Sequence, residues 1–303
     1  MLEQLKYKNT ADILLYLFAN GAVTKPEIVR SMLLGNSTVS DAINELIDIK
    51  LVHAIGKEDS IGGRRAIIYD LNRDHGSFVG VVCSEDCIDF VISDCHSRIV
   101  KSWITQIDCK MSAFSILLNE LRMIIGSEKN ILGIGIGLHG QIDYESQVVI
   151  SCDSYDWYHV HLKEIVEREF RIFTVVDHCS NGAALREKWL GAAKRVQNYI
   201  YYIDTSPKKA AIILDDRVCR GKDNLAGSMT EPHTECYQRI IELQKILNIE
   251  KVVIATNDSI VRTQVQHEKN IILLDVCRYD LARGMATLVQ TIWFNYVLIR
   301  KGG

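Results

Sequence analysis

Apolar residues recur every three to four positions through the first part of the chain, as they do along the buried face of a helix. The spacing predicts a first helix over about Asn9–Asn20 and two shorter helices after it. Thr24 has the side chain of a helix N-cap, with Pro26 in the first turn and Glu27 where a capping box requires a carboxylate. We expect Gly35 to break the second helix and to allow a tight turn into the third.

The apolar period changes to two after the third helix, which predicts a hairpin with strands near residues 52–54 and 66–69. Helix, turn, helix and hairpin make the order of a winged helix-turn-helix, a DNA-binding module, which we assign to residues 1–73. Small polar side chains at the start of the third helix and the tip of the hairpin would reach bases and phosphates. The expected DNA contacts are Asn36, Ser37, Thr38, Ser40, Gly62, Gly63, Arg64 and Arg65.

The charge of this module is balanced, which leaves an alternative open. Residues 1–73 contain nine basic and nine acidic residues. Asp41 lies on the expected reading face, where it would repel phosphate. Helix-turn-helix geometry also occurs in protein-interaction modules. We favour DNA binding because the hairpin tip and the start of the third helix agree with it.

Strands and helices alternate from about Gly76 onward, as in an α/β domain that we assign to residues 74–303. Three strands precede a helix, the glycine-rich strand Ile131–Leu138, and a further helix, strand and helix. The same order returns from about Tyr199, which predicts two lobes of one plan. We expect the last strand and helix, near residues 271–275 and 279–293, to pack back between the lobes.

Composition narrows the class of protein further. The chain has 303 residues, 48% of them hydrophobic and 24% charged, and its net charge of −3 gives no overall basic field. Nine cysteines are scattered without a CxxC pair, and no signal peptide is recognisable, so we expect reduced thiols in a cytoplasmic protein. No apolar run approaches the length of a membrane span, so no membrane partner is expected.

Several stretches resemble motifs of a known family: Thr38–Ser40, Ser60–Arg65, Tyr69–Asn72, Leu132–Asp143, Asn181–Trp189 and Asp280–Ala286. Over nearly its whole length the chain resembles the ROK family, which groups sugar-responsive repressors with sugar kinases. The resemblance implies an actin-like fold of two ribonuclease-H-like lobes behind the winged helix-turn-helix. It also implies a homodimeric regulator that binds a double-stranded DNA operator, with room for a carbohydrate-like small-molecule effector.

The residues that kinases of this family use for phosphoryl transfer are replaced. Val82 and Ser84 stand where the first phosphate loop has an aspartate and a glycine. Cys179 stands at the position of the catalytic aspartate, and a cysteine is a poor base for a sugar hydroxyl. The counterpart of the second phosphate loop contains Pro207, which lacks an amide donor, and no glycine. We therefore expect no enzymatic activity.

The family's zinc site is altered as well. It uses one histidine and three closely spaced cysteines, whereas this chain offers only His233 and Cys236 there, and a structural zinc ion takes four ligands. We expect neither a metal nor a cofactor. The expected contacts of a ligand in the cleft are His139, Gly140, His178, Asn181 and Glu231.

Two other functions remain open from the sequence. A sugar kinase would have to work through substituted carboxylates, for which Glu85, Asp86 and Asp177 are the candidates. A ligand-independent interaction scaffold would have a cleft closed by apolar side chains. ATP turnover distinguishes the first from a regulator, and the contents of the cleft distinguish the second.

Overall fold

The computed structural model describes residues 2–58, 65–109, 112–204, 209–229 and 233–301. The first 73 residues contain three helices and an antiparallel sheet of three strands in the order β1-β3-β2. The helices are α1 (Leu2–Asn20), α2 (Lys25–Met32) and α3 (Asn36–Asp48), and the strands are β1 (Val23–Thr24), β2 (Val52–Lys57) and β3 (Ile67–Leu71). The predicted order of elements is therefore present, and α1 begins seven residues earlier than the apolar spacing indicated.

The start of α2 has the predicted capping geometry, whereas the turn after it differs from expectation. The Thr24 backbone N–H and hydroxyl both donate to Glu27 Oε2, at 2.7 and 2.9 Å. Leu33, with φ of 54°, takes the left-handed conformation at the end of α2. Gly35 is extended and serves as the N-cap of α3, so the expectation that it makes the turn was wrong. Because the Leu33 side chain is 92% exposed, its bulk meets no neighbour in this conformation.

The first lobe contains a five-stranded sheet in the order β11-β7-β4-β5-β6. A separate small sheet, β10-β9-β8, follows β7 and was not predicted. The elements of the first lobe in chain order are β4 (Ser77–Cys83), β5 (Cys87–Asp94), β6 (Ile99–Gln106), α4 (Ala113–Ser127), β7 (Ile131–Leu138), β8 (Gln141–Ile142), β9 (Val149–Cys152), β10 (Trp157–Val160), α5 (Leu162–Phe170), β11 (Phe173–His178) and α6 (Cys179–Leu190).

The second lobe repeats this strand order, with the sheet β14-β13-β12-β15-β16. Three antiparallel strands are again followed by two parallel ones, so the predicted duplication is confirmed. Its elements are β12 (Tyr199–Ile203), β13 (Lys209–Leu214), β14 (Arg217–Cys219), α7 (His233–Ile246), β15 (Lys251–Ala255), α8 (Ser259–Val265) and β16 (Ile271–Leu274), followed by α9 (Asp280–Lys301). The expectation that the last strand packs between the lobes was wrong, because β16 pairs with β15 at the sheet edge.

Helix α9 returns to the first lobe and lies against β4, β7 and α6. A Cβ atom at Gly80 would overlap the carbonyl oxygen of Ala282, and one at Gly135 would overlap that of Met285. The glycines of the first sheet are therefore needed for the close approach of α9. They lie within strands, so Gly133–Gly137 is not a dinucleotide-binding turn.

The N-terminal module and the lobes share one apolar core. The rings of Phe18 in α1 and Phe294 in α9 lie 5.7 Å apart, edge to face. Lys194, at the end of the loop after α6, donates to the Ala19 carbonyl at 2.5 Å. Helix α6 in turn lies against the second sheet, where the Tyr199 hydroxyl donates to Ala184 O at 2.7 Å. A continuous packed path thus joins α1, α9, α6 and the second lobe.

Among the described helices, none combines the length and apolar character needed to cross a bilayer. The long, largely buried α9 contains the polar residues Thr287, Gln290 and Thr291, all of them buried. Gln290 donates to the Cys95 carbonyl at 2.6 Å, so at least one of these polar groups is satisfied by the first lobe.

Candidate functional site

Helix α3 has one face in the core and one in solvent. Val39, Ala42, Ile43 and Leu46 are buried, which leaves the opposite side free. Ser37 is exposed there, and Asn36 beside it is exposed as well. Asn44 lies two turns after Ser37 on the same face and is also exposed. Its spacing of seven residues from Ser37 is a signal that the sequence analysis missed.

Two other expected contacts on α3 are less accessible. Thr38 and Ser40 are half-buried. Thr38 lines a small cavity of about 190 Å³ together with Lys6 and Asp41, so it faces the N-terminal half of α1. The exposed face of α3 therefore carries Ser37, Asp41 and Asn44, so the Asp41 carboxylate lies between the two neutral side chains.

The hairpin that follows α3 is described except at its tip. Gly62, Gly63 and Arg64 lie outside the described residues, whereas Arg65 is exposed. Strand β2 is exposed along its length after Val52, and Lys57 near its end adds a second exposed cation. The described part of the hairpin thus presents two exposed cations on the same module as the exposed face of α3, with the exposed Glu58 carboxylate next to Lys57.

Two histidines and a cysteine meet in the cleft where β7 and β11 end and α6 begins. Cys179, the first residue of α6, is 1% exposed. Its Sγ lies 3.4 Å from Nε2 and 3.5 Å from Nδ1 of His139, and 4.0 Å from Nδ1 of His178. The two imidazole rings are edge to face, with centroids 5.5 Å apart. His178 also caps α6, since its Nδ1 accepts from the Ser180 backbone N–H at 3.3 Å, and the same nitrogen lies 3.0 Å from the Ser180 hydroxyl.

Asp177, next to this cluster, is neutralised by an arginine from the second lobe. Arg220 donates to both carboxylate oxygens of Asp177, at 3.0 and 2.8 Å. Asn181 donates to the same carboxylate at 2.9 Å. The guanidinium stacks on Tyr144 with its Cζ 3.6 Å from the ring centroid. A carboxylate that is 2% exposed and held by three donors is poorly placed to take a proton from a substrate.

A cavity of about 450 Å³ opens in front of the two histidines. His139, Gly140 and His178, three of the expected ligand contacts, line it. Asn181 instead bonds to Asp177, and Glu231 lies outside the described residues. The remaining lining residues are Gln141, Ser151, Asp153, Ser154, Leu225 and Ser228. Seven of the nine lining residues have polar side chains and the cavity is open, so a cleft closed by apolar side chains does not fit this region.

Gly140 has a structural role at the cavity. A Cβ atom there would overlap the carbonyl oxygen of Ser151, because β8 and β9 pair closely at this point. Burial raises the pKa of the Cys152 thiol in the same small sheet, so that thiol is protonated at neutral pH. Sequence reasoning missed this sheet because its strands are only two to four residues long.

The residues at the first phosphate-loop position form a tight turn between β4 and β5. The Ser84 N–H donates to the Cys87 carbonyl at 2.9 Å, and the Tyr155 hydroxyl donates to the Ser84 carbonyl. Glu85 and Asp86 are exposed at the tip of this turn. Residues 205–208 of the second loop lie outside the described residues, and with them Pro207.

Comparison with known proteins identifies the family of the central segment. Residues 114–237 match the profile of the ROK family. The chain is 29% identical over 232 residues to the xylose repressor of Caldicellulosiruptor bescii, covering 74% of this chain and 58% of that protein. It is 26% identical over 230 residues to the xylose repressor of Bacillus subtilis, covering 74% and 60%. The chain therefore spans less than two thirds of the length of these relatives.

Solved structures agree with the fold. A ROK family transcriptional regulator, a homologue of the Escherichia coli MLC protein, superposes with a TM-score of 0.77 at 15% identity over 98% of both chains. A ROK family glucokinase from Streptomyces griseus, solved with glucose and AMPPNP, reaches a TM-score of 0.60 at 13% identity over 71% of this chain and 99% of its own. Residues 114–237 thus match the ROK family, and the duplicated sheet agrees with the fold of these solved structures.

Proposed function

We propose that the protein is a cytoplasmic, DNA-binding transcriptional regulator of the ROK type that acts as a repressor. Residues 1–73 would bind the operator, and residues 74–303 would dimerise and sense an effector. The observation that carries the proposal is the exposed polar face of α3, next to a basic hairpin, in a chain whose relatives are repressors.

The comparison structures support this division of the chain. The regulator covers 98% of the chain, whereas the glucokinase covers 71% of it and 99% of its own length. The share of this chain that the kinase lacks is about as large as residues 1–73. A kinase fold with an added N-terminal module is what a regulator of this type requires.

The exposed face of α3 supports direct reading of bases. Ser37 and Asn44 would enter the major groove, where an asparagine amide pairs with adenine. Arg65 and Lys57 on the hairpin would contact phosphates, together with Arg64, Gly62 and Gly63 at the tip. Because a two-fold dimer presents two such helices, the operator would be a pseudo-palindrome with half-sites about one helical turn apart, or a multiple of that distance.

Fluorescence anisotropy with promoter-region DNA tests the proposal. The parent chain is expected to bind with an affinity that falls as salt rises. Replacing Arg64 and Arg65 together by Ala is expected to abolish most of the binding, and Arg65→Ala alone to reduce the salt slope by about one. Arg168→Ala, which removes an exposed arginine of α5, is the matched control and is expected to change nothing.

Asn44→Ala separates base reading from phosphate binding. The expected loss is about 1–3 kcal/mol on the preferred site with little change on unrelated DNA. Unchanged affinity in both the arginine double variant and Asn44→Ala would instead indicate that residues 1–73 bind protein. Sedimentation of the parent chain with and without DNA tests the proposed dimer.

The cavity in front of His139 is the proposed effector site. Its volume of about 450 Å³ suits a monosaccharide-sized ligand, and Gln141, Asp153 and Ser154 offer polar contacts. Two of the relatives are xylose repressors, so pentoses are the first ligands to examine by calorimetry. Loss of DNA affinity on addition of the bound sugar is the expected consequence for a repressor.

The alternative function is a sugar kinase, which the fold of the glucokinase favours. We propose that this domain has lost that activity. Asp177 is held by Arg220, Cys179 replaces the base, and Glu85 and Asp86 lie on an exposed turn. Incubation with ATP and a panel of sugars is expected to give no turnover, and reproducible phosphorylation of one sugar would contradict the proposal.

A further inference from the structure

We propose that His139, His178 and Cys179 form a binding site for a divalent transition metal of the zinc class. Each side chain offers one ligand atom, and these three atoms lie within 4.8 Å of one another. Nitrogen and sulfur donors are the ligands that Zn²⁺ prefers in proteins. The site is separate from the region of His233 and Cys236 and does not depend on DNA binding.

The spacing of the donors fits tetrahedral coordination. Zn–S bonds of about 2.3 Å and Zn–N bonds of about 2.0 Å place sulfur and nitrogen about 3.5 Å apart around a tetrahedral ion. Cys179 Sγ lies 3.4 Å from Nε2 and 3.5 Å from Nδ1 of His139, so either nitrogen has that separation, and the ring would turn to aim one of them at the ion. The distance of 4.0 Å to His178 Nδ1 is longer, and one ligand atom from each of the three residues still lies within 4.8 Å of the others.

The surroundings favour the ligand forms of these residues. Cys179 is the first residue of α6, and its thiol would release its proton on binding the ion. With the metal on Nε2 of His178, Nδ1 would carry the proton and donate it to the Ser180 hydroxyl, 3.0 Å away, in place of accepting from the Ser180 N–H. Such a second hydrogen bond fixes the tautomer of a metal-binding histidine. The nearby Asp177 carboxylate is neutralised by Arg220, so it does not compete for the ion.

The fourth coordination position would face the cavity. His139 and His178 both line it, whereas Cys179 is buried beneath them. A metal with three protein ligands and one open position binds water or an oxygen of a ligand. The proposed ion would therefore lie on the floor of the cavity and offer a Lewis-acidic contact to a hydroxyl-bearing ligand.

Cobalt spectroscopy on the full chain tests the site. Because Cys109 and Cys277 are exposed thiols that bind metals adventitiously, the test uses the Cys109→Ser, Cys277→Ser background. One Co²⁺ per chain is expected, with thiolate-to-cobalt charge-transfer absorption in the near ultraviolet. Zn²⁺ is expected to displace it and to raise the Tm of the protein.

Variants assign the ligands. Cys179→Ser is expected to lose the charge-transfer absorption, whereas Cys95→Ser, which changes another buried thiol, is expected to keep it. His139→Gln provides a second ligand variant where Cys179→Ser fails to fold, and its affinity is expected to fall at least tenfold. Ser180→Ala is expected to weaken the affinity about 10- to 100-fold by freeing the His178 ring.

Two outcomes would overturn the proposal. One is the absence of stoichiometric Co²⁺ and Zn²⁺ binding in the background chain. The other is charge-transfer absorption that persists unchanged in folded Cys179→Ser or a Zn²⁺ affinity that is unchanged in folded His139→Gln. Both measurements are made without DNA, so they are independent of whether the chain proves to be a regulator.

Discussion

The N-terminal module and the cleft between the lobes are built from contacts of different range. In the module, the capping box joins residues three apart, and β3 pairs with β2 through one short connection. In the cleft, Arg220 binds a carboxylate 43 residues earlier, and Cys179 meets a histidine 40 residues earlier. The strands of the first sheet also contact α9, at the end of the chain, through the close approach at Gly80 and Gly135, which no local pattern indicates.

Because of this difference, single side chains determine the binding properties of the module, whereas contacting groups of residues determine those of the cleft. The module's expected contacts are single exposed side chains on a helix and a hairpin, whose positions follow from periodicity. The cleft's properties belong to pairs and clusters, because Asp177 without Arg220 or Cys179 without His139 would behave differently. A substitution in the cleft should therefore lower the free energy of unfolding more than one in the module, and three measurements test that expectation.

The largest effect is expected from Arg220→Ala. Asp177 is 2% exposed, and loss of its bidentate partner would leave a buried, unpaired carboxylate. The free energy of unfolding should fall by about 3–5 kcal/mol in chemical denaturation. The control is Arg122→Ala, whose ion pair with Glu169 is half exposed and should contribute less than about 1 kcal/mol. Equal losses in the two variants would remove the distinction between cleft and surface.

A smaller but definite loss is expected from Gly80→Ala. The added methyl group would overlap the Ala282 carbonyl, so α9 would have to shift away from β4. We expect a loss of about 1–3 kcal/mol in the free energy of unfolding. The matched control is Gly126→Ala in α4, where nothing lies within 4 Å of the new methyl group. That control should be neutral or stabilising by roughly 0.5–1 kcal/mol.

The smallest effect is expected in the module, from Glu27→Gln. The Thr24 backbone N–H, and then its hydroxyl, lower the pKa of the Glu27 carboxyl. A carboxyl whose folded pKa is lowered contributes stability above its unfolded pKa, and that stability is lost as the pH falls through the folded value. Parent and variant should thus differ by about 0.5–1 kcal/mol at neutral pH, since the group is partly exposed.

Thermal unfolding across pH measures this difference. The difference between the parent and Glu27→Gln should begin to shrink below about pH 4, the unfolded pKa, and vanish once the pH is below the lowered folded pKa of Glu27. Glu58→Gln, an exposed carboxylate at the end of β2, should follow the parent throughout. A difference between the parent and Glu27→Gln that grows as the pH falls would contradict the assigned direction of the pKa.

Much of the fold followed from the sequence, because each lobe repeats an order of strands and helices that the apolar period reveals. The module's helices, Thr24–Glu27 cap and hairpin were predicted for the same reason. The turn at Leu33 was not, since propensity assigns left-handed backbone to glycine, whereas here a leucine adopts it. The small sheet β8–β10 was missed because strands this short carry too few residues for a period.

The candidate sites divide in the same way. Periodicity placed Ser37 on the free side of α3 and would also have placed Asn44 there. It did not reveal that Thr38 faces α1, which depends on how the two helices pack. Nothing in the sequence around Arg220 indicates the carboxylate that it binds, so the pair with Asp177 was not predicted.

By itself, the sequence determined the order of the elements, the duplicated lobes and the local caps and turns, because those depend on neighbouring residues and on a repeating apolar face. The tertiary structure alone decided that Asp177 is neutralised across the cleft and that α9 closes against Gly80 and Gly135. It also brought His139, His178 and Cys179 to one point. These contacts join chain segments that are tens to hundreds of residues apart, and only the folded backbone sets their distances.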